Sequence, residues 1–114
     1  MDAIQIIKTA ANALSDKKAQ DIRLIKVRDL TIIADYFLIA SGTSSTQVKT
    51  LADETEFKLS QTGLEPHHIE GKSTNWILLD YNTVVIHVFH AQSREFYQLE
   101  KLWHDGEALD WEKL

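Results

Sequence analysis

Cysteine is absent from this chain, which excludes disulfides, zinc knuckles and thiol catalysis. No apolar run approaches the roughly 20 residues needed to span a bilayer. The N-terminus shows neither a basic stretch followed by an apolar block nor an Arg-rich, acid-poor leader, so a cytoplasmic protein is expected. Basic residues are in the minority, 12 Lys and Arg against 17 Asp and Glu, for a net charge of -5. A protein that gripped phosphates broadly would carry the opposite sign, so direct sequence-specific nucleic-acid binding is not expected. Acidity fits a basic protein partner, although net charge speaks to solubility first. Glycine and proline are scarce, at four and one, so breaks between elements are few.

What is present is ordinary globular material. The 114 residues fit one compact domain, and 44% hydrophobic with 25% charged content argues against a disordered chain. Ala3, Ile4, Ile7, Ala11 and Leu14 recur at helical spacing, with Asp2 and Gln5 placed as a capping box. Ile22 to Val27 predicts a strand with interleaved charges, and Tyr36 to Ala40 a strand covered on both faces. A second helix starts at Ser44, with Val48, Leu51, Ala52, Thr55 and Leu59 as its core stripe. Gly63 is placed to close it, and Pro66 prevents its continuation. A short strand is predicted over His67 to Glu70. A hairpin pairs Trp76–Tyr81 with Val84–Phe89 around Asn82-Thr83. Ser93 caps a last predicted helix carrying Phe96, Leu99, Leu102 and Trp103. The order predicts a mixed α/β domain over 1–105, with about five strands in one mixed sheet and helices packed on it. Residues 106–114 read as an acidic tail.

Chemistry is harder to find. His67 and His68 are adjacent and His87 and His90 are an odd number apart, so neither pair converges on one strand face; no metal site and no cofactor are expected. Ser41-Gly42-Thr43-Ser44 lies between a buried strand and a helix, where phosphates can bind. It lacks the P-loop pattern. It has the Gly-Ser character of the turn that opens nucleotidyltransferase sites, but those also need a pair of metal-binding carboxylates. No Asp-x-Asp, Asp-x-Glu or Glu-x-Asp occurs between Gly42 and Tyr97. A serine helix cap explains the turn, and a nucleotide-binding or nucleotidyl-transferring enzyme is the alternative.

The hairpin is the most informative segment. A two-residue turn puts Ile77, Leu79, Tyr81, Val84, Ile86 and Val88 on one uniformly apolar face, which must be core. The other face carries Trp76, Leu78, Asp80, Val85, His87 and Phe89. Aromatics mixed with one acid and one histidine suit a protein-binding surface. They equally suit a second, partly buried face on which Asp80 and His87 pair with each other or with the backbone.

Three blocks resemble the ribosomal silencing factor family, the Iojap-like proteins. The first is Asp35-Tyr36-Phe37-Leu38-Ile39-Ala40-Ser41-Gly42 with Gln47-Val48; the second is Glu70-Gly71, Trp76 to Tyr81 and Val84 to Phe89. The third is Arg94, Phe96-Tyr97, Leu99-Glu100 and Leu102-Trp103. The resemblance spans about residues 2 to 105. It implies a nucleotidyltransferase-like fold without the catalytic residues, and no enzymatic activity. It implies binding to the large ribosomal subunit through its protein fourteen, at an intersubunit bridge, so that the two subunits fail to join when nutrients are short. Homodimers are common in the family. The contact residues it implies are Glu70, Trp76, Asp80, His87, Arg94 and Tyr97. Two departures stand out: Lys26 where the family commonly has an acid, and Asn82-Thr83 in place of a glycine-containing turn. Asparagine tolerates positive φ, so the turn is retained.

Overall fold

The structure, a computed structural model, describes residues 2–27, 34–71, 75–91 and 105–114. Helix α1 spans Ala3–Asp16 and opens on the expected capping box: the Asp2 carboxylate accepts from Gln5 N at 2.9 Å, and Gln5 Oε1 accepts from Asp2 N at 3.0 Å. Its buried side comprises Ile6, Ile7, Ala10, Ala11, Ala13 and Leu14. Ile4, predicted to face the core, is 36% exposed, because Ile6 and Ala10 take the buried positions beside Ile7. The chain turns at Lys18, in the left-handed region at φ 64°, and enters β1 (Gln20–Lys26).

Strand β2 (Tyr36–Gly42) is buried along almost its whole length, as its unbroken apolar run demands. Helix α2 (Ser45–Gln61) buries all five residues of the predicted stripe. Gly63, at φ 89°, closes it in a Schellman motif: Leu64 N donates to Leu59 O and Gly63 N to Ser60 O. Strands β3 (His68–Glu70), β4 (Trp76–Asp80) and β5 (Val84–His90) follow. The β4–β5 hairpin has the predicted register, with Trp76 opposite Phe89 and Asp80 opposite Val85, and Asn82 adopts φ 69° in its turn.

Among the described residues six strands form one mixed sheet in the order β3-β4-β5-β2-β1-β6, one more than expected. The β2–β5 pairing is parallel and the others antiparallel. The added strand is β6 (Glu107–Leu109), from the segment expected to trail away as a tail. It pairs with Leu24–Lys26, setting Glu107 opposite Lys26, and leads into a short 3-10 helix at Trp111–Lys113. Leu109, Trp111 and Leu114 pack against the main core, which gives this charged segment its place in the fold. The predicted helix after Ser93 lies outside the described residues.

Helices α1 and α2 lie on one face of the sheet. There they enclose the main core with Leu24, Leu38, Ala40 and the six hairpin residues Ile77, Leu79, Tyr81, Val84, Ile86 and Val88. On the opposite face a smaller cluster gathers Ile25, Val27, Ala34, Phe37, Ile39, Val85 and Phe89, flanked by Trp76 and Leu78. The fold therefore has two apolar faces of unequal size.

Candidate partner-binding site

Register alone brings four of the six expected contact residues onto three neighbouring strands. Glu70 pairs with Leu78, and Leu78 with His87, so the three form one row across the sheet. The next row runs His68, Asp80, Val85, Phe37. Rows two residues apart share a face, and this is the face of the smaller apolar cluster. Between the rows lies a pocket of about 280 Å³ lined by Phe37, His68, Glu70, Leu78, Asp80, Val85 and His87. Arg94 and Tyr97, the remaining two contact residues, lie outside the described residues.

Each polar group in or beside the pocket has a distinct environment. Glu70 is exposed, and its carboxylate lies 3.0 Å from His68 Nε2. Asp80 is half-buried and accepts from the backbone N–H of Asn82 at 2.8 Å, capping the hairpin turn. His87 is buried, at 4% exposure. Its partner is Trp76, whose indole Nε1–H donates to His87 Nδ1 at 3.1 Å. The pairing of His87 with Asp80 weighed from the sequence does not form. Phe37 and Trp76 flank the imidazole, with ring centroids 4.7 Å and 5.7 Å away. Trp76 also meets Phe89 edge-on at 6.2 Å, so this tryptophan is half-buried.

An indole N–H only donates, so Nδ1 must present its lone pair and the imidazole proton sits on Nε2. That Nε2 is buried and meets no acceptor among the described residues. Burial lowers the His87 pKa from its ordinary 6.5 to about 4, so the ring is neutral at physiological pH. Among the described residues the imidazole is bonded to Trp76 and flanked by the rings of Phe37 and Trp76.

The Ser41–Ser44 turn is occupied by local structure. Ser44 Oγ accepts from Gln47 N at 3.1 Å and so caps α2, while Gln47 Oε1 accepts from Thr43 N and Thr43 Oγ1 at 2.6 and 2.9 Å. A Cβ on Gly42 would meet Val48 N and Cγ2 at 3.1 Å, so glycine permits the close approach of strand and helix here. Among the described residues no three His, Asp or Glu side chains cluster as metal ligands, and no helix is long and apolar enough to cross a membrane.

The sequence matches the family described as ribosomal silencing factor during starvation over residues 1–114. The chain belongs to the ribosomal silencing factor family. The ribosomal silencing factor of Bacillus subtilis is 40% identical over 111 residues, covering 96% of this chain and 94% of that protein. The chloroplast Iojap protein of Zea mays is 29% identical over 115 residues, and there the match covers 48% of the relative. A crystal structure from Chromobacterium violaceum superposes with a TM-score of 0.85 at 35% identity, covering 91% of this chain and 88% of that one. One from Bacillus halodurans gives 0.83 at 34% identity, with 93% and 97% covered. The mixed-sheet fold is therefore that of solved relatives.

Proposed function

We propose that this protein silences ribosomes by binding the large subunit through its protein fourteen, covering an intersubunit bridge so that the small subunit cannot join. The observation that carries the reading is the family match over the whole chain, most of each bacterial relative being covered as well. The row Glu70–Leu78–His87, with Asp80 and Trp76 beside it, supports this face as the contact surface. It mixes aromatic and apolar groups with two carboxylates, as hot-spot surfaces do, and the carboxylates suit a basic ribosomal protein. An interface of standard size, about 800 Å² per partner, is enough to block a bridge sterically. No chemistry is required of the protein, and the capped Ser41–Ser44 turn supports a non-enzymatic role.

The test combines binding and turnover. The protein should co-sediment with isolated large subunits, leave small subunits unbound, and consume no nucleoside triphosphate in the presence of magnesium. Magnesium-dependent turnover that is lost in Ser44→Ala would overturn the reading.

A further inference from the structure

The neutral His87 imidazole and the pocket it lines say what kind of group the partner presents. The geometry points to insertion of one uncharged, largely apolar group bearing a hydrogen-bond acceptor, such as a main-chain carbonyl or a hydroxyl, from a basic polypeptide segment, with His87 Nε2–H as donor. This inference rests on the reading that the β3–β5 face is the docking surface.

Three observations lead there. First, the Trp76 indole fixes the tautomer by donating to Nδ1, which leaves Nε2 with a proton and no acceptor among the described residues. A buried donor left unpaired is costly, and an arriving acceptor removes that cost. Second, Phe37, Leu78 and Val85 make the wall around the imidazole apolar. At about 280 Å³ the pocket falls just below the roughly 300–1,000 Å³ of small-molecule sites and suits a single side chain or a turn of backbone. Third, Glu70 and Asp80 also line the pocket. Their charge repels an anionic occupant, while the Nε2–H donor rejects a cationic one, so the group at the imidazole is neutral. The same carboxylates attract Lys or Arg flanking that group, in keeping with a net charge of -5 on the whole chain. In the unbound protein Nε2 is closed off from solvent. An acceptor that bonds to it must therefore displace a neighbouring side chain, an adjustment common at interfaces.

Two measurements on the full chain test this. Imidazole nitrogen resonances of the unbound wild type at neutral pH should show His87 as the neutral Nε2–H tautomer; the Nδ1–H tautomer would overturn the inference. Binding is then measured with purified large ribosomal subunits. His87→Phe keeps a ring and removes the donor, and should bind about tenfold more weakly, the effect of one neutral hydrogen bond. Leu78→Trp narrows the pocket while leaving the Trp76–His87 bond in place, so it reports on occupancy even if His87→Phe fails to fold. It too should bind at least about tenfold more weakly. Tight wild-type binding with both folded variants undiminished overturns the pocket assignment alone. Wild type that does not bind large subunits overturns the docking reading and this inference together.

Discussion

His87 is buried beside an apolar cluster, bonded through Nδ1 to Trp76 and carrying a proton on an Nε2 that meets no acceptor among the described residues. Its folded-state pKa of about 4 lies below the ordinary 6.5 because burial disfavours the charged ring. The unfolded chain therefore takes up this proton first as pH falls. Its contribution to stability is complete above pH 6.5 and is lost progressively between 6.5 and 4, by about 3 kcal/mol in all. Urea titrations from pH 7 down to 4 should show that fall in wild type and a flatter profile in His87→Phe. Parallel profiles would mean that protonation of His87 is not penalised by the fold. Asp80 calls for a different substitution. Its carboxylate caps the backbone of Asn82, so Asp80→Lys would disturb the turn as well as the charge. Asp80→Asn keeps an acceptor oxygen and removes only the charge. It should leave the melting temperature unchanged and slow association with large subunits at low salt, the difference closing as salt screens over about 8 Å. Equal rates across the salt series would take Asp80 out of the interface. At this scale the sequence showed which face each hairpin residue occupies, because strand alternation is local. It did not show the partner of His87. Trp76 and Asp80 are both diagonal neighbours of His87 in the hairpin register, and only the twisted sheet selects between them.

Among the elements, the two helices end in the same way but with different residues. Helix α2 uses Gly63 at the left-handed position of its Schellman motif; α1 uses Lys18, with Ala19 N donating to Leu14 O and Lys18 N to Ser15 O. A side chain at φ 64° is strained where glycine is not. Lys18→Gly should therefore stabilise the protein by about 0.5–1 kcal/mol, read as a higher urea midpoint at unchanged slope. A lower midpoint would show that the Lys18 side chain contributes more than its backbone costs. Helix caps were legible because they depend on residues three or four apart. The α1 stripe was legible in period and off in phase, since Ile4 and Ile6 are equally apolar and tertiary packing selects Ile6. Strand β6 was not legible: three residues with one large apolar group give no period to read, and only the outer edge of β1 makes them a strand.

For the molecule as a whole, the sheet order could not be read locally. Placing β2 beside β5 in parallel is set by how α2 crosses the sheet, which no short window records. Family membership, in contrast, is carried by residues spread along the whole chain, and the solved relatives share its fold. Four of the six contact residues expected from the resemblance stand together on β3, β4 and β5, on the face opposite α1 and α2. The helical face provides the main core, and the smaller cluster, with the Trp76–His87 pair against it, supports the proposed docking surface. A steric mechanism makes a stoichiometric demand: one protein per large subunit blocks one joining event, with no turnover. The most direct measurement is a sucrose gradient of purified large and small subunits under joining conditions, with increasing amounts of the protein. The joined-ribosome peak should fall as free subunits rise, saturating near one protein per large subunit, and the protein should migrate with the large-subunit peak. An undiminished joined peak at saturating protein, or protein travelling with the small subunit, would contradict the account.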